Sequence, residues 1–190
     1  MKKLVLVICM MLSFTAVSLA QKNEIGIKVG YSTIDPSDYE SGAMVGLNYT
    51  YYFSNNFGLG ATVNGFAYKV KGLEDNLINT FDGIHIASKY YFTDKFLLNV
   101  KVGAGIYTSS YPSFTILSEG YYIDFPKMDA SGFGYNINAG LRYDLTKHFG
   151  LGLDLDYIAS SNLKFEAEDT TIAEEKQSSV NLSLSATFRF

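Results

Sequence analysis

The closing stretch Val180-Asn181-Leu182-Ser183-Leu184-Ser185-Ala186-Thr187-Phe188-Arg189-Phe190 alternates without a fault, each even position apolar and each odd position polar. Side chains of a strand point to opposite faces at successive residues. Val180, Leu182, Leu184, Ala186, Phe188 and Phe190 therefore share one face, and Asn181, Ser183, Ser185, Thr187 and Arg189 share the other. The stretch has the length of a tilted strand that crosses a hydrocarbon layer, roughly 9 to 11 residues.

Seven further segments carry the same period of two: Glu24–Tyr31, Ala43–Phe53, Phe57–Tyr68, Gly83–Phe92, Phe96–Tyr107, Gly132–Leu145 and Phe149–Ile158. Three connections are very short, Ser54-Asn55-Asn56, Thr93-Asp94-Lys95 and Thr146-Lys147-His148, each preceded by Phe or Leu and followed by Phe. A three-residue turn between antiparallel strands pairs Phe53 with Phe57, Phe92 with Phe96 and Leu145 with Phe149. Each pair joins residues of one parity, so the apolar faces coincide in all three hairpins, and a one-residue slip would destroy that agreement. The other connections, Ser32–Gly42, Lys71–Asp82, Thr108–Ser131 and Ala159–Ser179, are longer. Short and long connections alternate, as in an all-β, eight-stranded antiparallel up-and-down transmembrane β-barrel.

One face of the eight strands is apolar: Ile25, Ile27, Val29 and Tyr31 on the first, Val45, Leu47, Tyr49, Tyr51 and Phe53 on the second, and so on to Leu151, Leu153, Leu155 and Tyr157. No charge interrupts it, although Gly65 and Ser88 thin its cover. Aromatic residues gather at strand ends, as an interfacial girdle requires. A soluble sandwich core would also produce alternation, but a soluble barrel hides its apolar side within, where so many Tyr and Phe do not fit eight strands. The opposite parity holds Glu24, Lys28, His85, Lys89, Lys101, Arg142, Asp144, Asp154, Asp156 and Arg189 with most of the glycines. That predicts a filled polar interior, with Asp154 opposite Gly140 and ion-paired to Arg142.

The chain opens Met1-Lys2-Lys3, follows with an apolar run from Leu4 to Leu12, and reaches Ser18-Leu19-Ala20 before Gln21. This is the pattern of a cleaved secretory signal peptide over residues 1–20, which leaves one β-barrel domain over 21–190. Cys9, the single cysteine, falls in the leader. Bulky Ile8 before it argues against a lipid-anchored cysteine, and thiol chemistry is excluded from the mature chain. Without Lys2 and Lys3, 13 basic residues face 19 acidic ones, a net charge of −6 with no basic stripe, which argues against a nucleic-acid partner. Fifteen Tyr, 14 Phe and only 3 Pro favour strands. Asp169–Lys176 is the one segment in which a short loop helix is expected.

From Glu24 to Phe190, in strand number, alternating connections and the terminal Phe188-Arg189-Phe190, the chain resembles the small outer-membrane β-barrel proteins of Gram-negative bacteria, of OmpX and OmpA type. The resemblance implies insertion from the periplasm with both termini facing it. It also implies an integral place in the outer membrane, with lipid and lipopolysaccharide as neighbours. The last strand would serve as the signal read by the assembly machinery. Nothing follows Phe190 where OmpA carries a peptidoglycan-binding domain, so cell-wall anchoring is not implied. The architecture hosts unrelated activities.

For chemistry, His85 is placed inside near the outer rim with Asp82 close before it, a pairing that could act as a base; an ordinary interior hydrogen-bonded histidine is the favoured reading. No Ser-His pair, Gly-x-Ser-x-Gly or metal-spaced histidine cluster supports an enzyme, so no catalytic, cofactor-binding or metal-binding residue is assigned. His148 falls in a short turn, solvated. The long loops are acidic: Asp35, Asp38 and Glu40; Glu74 and Asp75; Glu119, Asp124 and Asp129; Glu166, Glu168, Asp169, Glu174 and Glu175. Solvation explains them without fixed ligand spacing, while divalent cations bridging to lipopolysaccharide phosphates are the sharper reading. Tyr107, Tyr111, Phe114, Ile116, Leu117, Tyr121, Tyr122, Ile123 and Phe125 either anchor a surface partner or prolong the wall. The expected function is that of a non-enzymatic barrel with a structural or surface-interaction role. Alternatives are a component that binds or transports a small apolar or lipid-like ligand and, behind it, a lipid-modifying enzyme.

Overall fold

The computed structural model describes residues 22–35, 39–70, 76–118, 121–167 and 170–190. The expected leader lies outside them, as do Asp38, Glu74, Asp75, Glu119, Glu168 and Asp169 of the acidic loops. The described residues form strands and no helix: β1 (Asn23–Asp35), β2 (Gly42–Tyr52), β3 (Phe57–Lys69), β4 (Asn76–Tyr91), β5 (Phe96–Tyr111), β6 (Phe114–Ser118), β7 (Tyr121–Phe125), β8 (Met128–Asp144), β9 (Phe149–Ser160), β10 (Leu163–Ala167), β11 (Thr170–Glu175) and β12 (Ser178–Arg189). Strands β1 to β5, β8, β9 and β12 make a closed antiparallel ring, because β12 pairs with both β9 and β1.

The three tight turns have the predicted register, with the Phe92 amide donating to the Phe96 carbonyl at 2.9 Å and Leu145 to Phe149 at 3.0 Å. Each turn opens with a hydroxyl residue that accepts from the amide three residues on: Ser54 from Phe57 at 2.9 Å, Thr93 from Phe96 at 3.0 Å and Thr146 from Phe149 at 3.0 Å. These bonds satisfy amides that the turn would otherwise leave bare. Followed round the ring, Ile25 pairs with Tyr49, then Ala61, Ile84, Ala104, Tyr135, Ala159 and Ser178, and the row returns to β1 at Asp35, ten residues further on. A stagger of ten over eight strands tilts them by about 40° and sets a backbone radius of about 8 Å.

Several expectations are corrected at the long-loop end. The fourth strand begins at Asn76 instead of Gly83, the fifth runs on to Tyr111, and the strand expected from Gly132 begins at Met128. Strands of 16 or 17 residues exceed a bilayer crossing, so the wall stands roughly 15 Å proud of the hydrocarbon at that end. The third long connection holds the hairpin β6–β7. Residues 170–175, expected to be helical, form β11 paired with β10, because the β-branched run Thr170-Thr171-Ile172 suits a strand. Asp82, expected in a loop, sits on β4 between Val63 and Ile106 with its side chain on the outer face, where Asp35, Lys69 and Asp129 also stand toward the long-loop end.

Below that end the outer face is largely apolar and uncovered by any second sheet, with Ile84 and Leu184 each 66% exposed, which removes the sandwich reading. Phe53, Phe57, Phe92, Phe96, Tyr143, Phe149, Phe188 and Phe190 ring the short-turn end, and Tyr31, Phe133, Tyr135 and Tyr157 stand nearer the other. Between these aromatic belts lies an aliphatic band of the kind hydrocarbon covers.

Inside, Phe81 is fully buried and lies against two glycines. A Cβ on Gly83 would come within 2.8 Å of its ring, and one on Gly134 within 3.1 Å of the ring and 3.0 Å of Tyr107 Cβ. Gly134→Val should therefore lower the unfolding free energy by roughly 1–3 kcal/mol. Gly65→Val, whose nearest neighbour on the outer face is Val45 at 3.7 Å, should leave it unchanged. Urea unfolding in detergent, followed by tyrosine fluorescence, measures both.

Candidate functional site

The interior is the place where chemistry could be concentrated, and it has two storeys. Alternation turns Glu24 (β1), Lys89 (β4), Arg142 and Asp144 (β8) and Arg189 (β12) inward near the short-turn end. Glu24 Oε2 receives Lys89 Nζ at 2.8 Å and Arg142 Nη1 at 2.7 Å, with Arg189 Nε at 3.6 Å. Asp144 Oδ1 takes Arg142 Nε at 3.2 Å and is also paired with Arg189. Higher up, Lys28 pairs with Asp156 at 2.7 Å and Lys101 Nζ donates to Asn48 Oδ1 at 2.8 Å. The Asn138 amide donates to Asp154 at 3.2 Å. Burial of so many ions is tolerable because each has a partner.

Asp154 lies opposite Gly140 as predicted, but its expected ion pair with Arg142 does not form. Arg142 stands closer to the short-turn end, within reach of two carboxylates, and turns to them. His85 is corrected as well. With β4 beginning at Asn76, it lies deep in the barrel, away from the outer rim, and its Nε2 is 2.9 Å from the Thr50 hydroxyl. Asp82 is on the other side of the wall, so the two cannot act together. His148 is exposed but engaged, its Nδ1 lying 3.0 Å from the Arg189 carbonyl.

The second storey was not foreseen. Toward the long-loop end the interior is apolar: Met44, Phe66, Tyr68, Leu77, Phe81, Tyr107 and Ile158 form one buried cluster. The hairpin β10–β11 prolongs the wall above β9 and β12, β10 pairing with β8, and turns Leu163 and Phe165 into the cluster, while Tyr111 meets Phe165 edge-on at 5.2 Å and Tyr39 at 6.0 Å. The base of the hairpin is clipped by Ser160 and Gln177. The Ser160 amide donates to the Gln177 carbonyl at 2.8 Å, and Gln177 N donates to Ser160 Oγ at 3.0 Å. Asn79 joins the storeys to this clip, donating to Tyr107 Oη at 2.7 Å and to Gln177 Oε1 at 3.0 Å. The sequence signal was present: in Gly65-Phe66-Ala67-Tyr68 the bulky residues occupy the parity assigned to the interior.

Tyr107 is thus a core residue, and it and Tyr111 belong to the prolonged wall of β5. Phe114, Ile116, Leu117, Tyr121, Tyr122, Ile123 and Phe125 run along the β6–β7 hairpin. Of the loop carboxylates, Asp129 accepts from the Ser110 hydroxyl at 2.5 Å and pairs with Lys127 at 3.1 Å, which holds its carboxyl below the ordinary range. Glu174 pairs with Lys164 at 3.3 Å. Among the described residues no three His, Cys, Asp or Glu side chains stand together as a metal site.

A closed ring of eight tilted strands, oily without and filled within, is the architecture of an integral outer-membrane β-barrel. Residues 5–190 match the model of the outer membrane protein beta-barrel domain, and the chain belongs to that family. It is similar in fold to Neisserial surface protein A, at 11% identity over 90% of this chain and 99% of that one, with a TM-score of 0.67. The attachment invasion locus protein Ail of Yersinia pestis matches at 18% identity over 89% and 99%, with a TM-score of 0.50. AlkL, solved in DMPC bilayers, matches at 15% over 90% and 92%, with a TM-score of 0.56. No curated protein matches the chain in sequence.

Glu24 joins three cations, so Glu24→Gln should cost roughly 3–5 kcal/mol of stability by stranding buried positive charge. Lys164→Ala, which removes an exposed pair, should cost less than about 1 kcal/mol. Heat-modifiable gel mobility and urea midpoints distinguish the two. A barrel stoppered by both storeys should also pass no large, stable current as a monomer in planar bilayers.

Proposed function

We propose that the protein is a non-enzymatic outer-membrane barrel whose working surface is the exposed end built from the extended wall and the hairpins β6–β7 and β10–β11. The observation that carries this reading is the double stopper. Ion pairs fill one half of the bore and an aromatic cluster that includes Phe165 of β10 fills the other, so neither a through-path nor an open catalytic chamber is left at the barrel's centre. Neighbours of the wall are then outer-leaflet lipid and lipopolysaccharide, and the binding partner is a molecule met at the surface. Residues 1–20 act as a cleaved export signal, both termini face the periplasm, and β12 with its terminal Phe188-Arg189-Phe190 is presented to the assembly machinery.

A second reading has one feature in its favour: the outer storey is apolar and aromatic, a lining suited to a small apolar or lipid-like ligand. Two deletions separate the readings. Removing residues 112–127 takes away β6–β7 and leaves both storeys filled, whereas removing 162–176 takes Leu163 and Phe165 out of the apolar cluster. Surface interaction predicts that the first deletion abolishes capture of partners by intact cells. An apolar-ligand role predicts that only the second changes uptake or binding of a fluorescent fatty-acid probe. Cell binding indifferent to both deletions would remove the surface proposal.

A further inference from the structure

Above Ser160 the wall carries a bulge. Strand β8 pairs with β9 as far as Gly134 opposite Ser160, and the Ser161 amide donates to the Phe133 carbonyl at 2.7 Å, but the next pair is Asp129 with Glu166. The chain from Ser161 to Glu166 thus takes one residue more than β8 takes from Phe133 to Asp129. One extra residue reverses the parity of everything beyond it. On β9 the even-numbered Asp154, Asp156 and Ile158 point inward, whereas on β10 the odd-numbered Leu163 and Phe165 do, and Asn162 and Lys164 are turned out. The bulge leaves a recess of about 410 Å3 on the outer wall, lined by Thr108, Asp129, Ala130, Ser131, Asn162 and Lys164.

The recess offers neutral hydrogen-bonding groups. Its charged side chains are already engaged, Asp129 with the Ser110 hydroxyl and Lys127, and Lys164 with Glu174. Thr108, Ser131 and Asn162 have no side-chain hydrogen bond among the described residues, and Ser131 and Asn162 are exposed. Each of these three side chains both donates and accepts. That matches a ligand whose groups do the same, as sugar hydroxyls do and ionised phosphate oxygens do not.

Height on the wall decides how the sugar is carried. Thr108 pairs with Ser131, and the next outward pair down the same two strands is Ile106 with Phe133, 60% and 61% exposed. Below them the Tyr135 ring lies 6.3 Å from that of Tyr157 in the upper aromatic belt. The recess therefore sits where hydrocarbon gives way to headgroups, with an apolar shelf for acyl chains directly beneath it.

We propose that the recess seats the sugar headgroup of an outer-leaflet glycolipid, its hydroxyls bonded to Thr108, Ser131 and Asn162 and its acyl chains laid over Ile106 and Phe133. This rests on the reading that the long-loop end faces outward, and it adds one fixed lipid at one place on the wall.

The test places the full barrel in phosphatidylcholine nanodiscs with a rising fraction of deep-rough lipopolysaccharide, whose headgroup carries both sugars and phosphates. The NMR signals of Thr108, Ser131 and the Asn162 side-chain amide should shift and saturate at low fractions, while exposed Thr33 on β1 drifts in proportion to the bulk lipid. Thr108→Val and Ser131→Ala each remove one hydroxyl from a paired strand position and should fold as the parent does. Each should weaken the saturating binding about fivefold, the loss of one neutral hydrogen bond. Lys164→Gln should change it by less than about twofold, since that ammonium serves Glu174. Shifts that never saturate, saturation that neither hydroxyl variant alters, a loss confined to Lys164→Gln, or equal saturation by free glucosamine overturns the proposal. Capture of surface partners by intact cells does not draw on these hydroxyls, so failure here leaves the reading of β6–β7 standing.

Discussion

Closure of the ring governs this molecule. Eight strands staggered by ten residues enclose a bore of about 8 Å backbone radius, in which each inward side chain competes for space with those opposite. Backbone groups gain their partners from closure, since no edge strand is left to face lipid. The cost falls on the interior, which must be filled without voids and without unpaired ions. Glycine on the inner face at Gly83 and Gly134 is what lets the Phe81 ring lie against the wall.

The two storeys solve the filling problem in different ways. Near the short turns long ionic side chains span the bore, and Glu24 draws Lys89, Arg142 and Arg189 into one cluster whose attraction is strong because water is excluded. Toward the long loops the strands outrun the bilayer, and burying aromatic rings there stabilises a wall that lipid no longer surrounds. The β10–β11 hairpin completes this upper core as an extension of the wall, with the Ser160–Gln177 clip at its base.

Ring, register and outward face were legible in the amino-acid order, since period-two alternation and three matched turns depend only on local spacing. The inward set was legible as a list of residues but not as a set of partners. Arg142 was assigned to Asp154, its diagonal neighbour, because sequence reasoning reaches only across adjacent strands. The structure brings it to Glu24, three strands away through β9 and β12, across the lumen. Asp82 and the true start of β4 were missed for a related reason: at the long-loop end a polar outer face no longer signals that a strand has ended.

Alternation along each segment determined which side chains face hydrocarbon and which face inward, because adjacent residues in a strand must diverge. Which inward groups meet, that aromatic residues stand above the ions, and that β10–β11 carries the wall on past β9 were decided only by the tertiary structure. Shear and radius bring together residues far apart in the chain, and contacts across a lumen leave no periodic trace in the sequence.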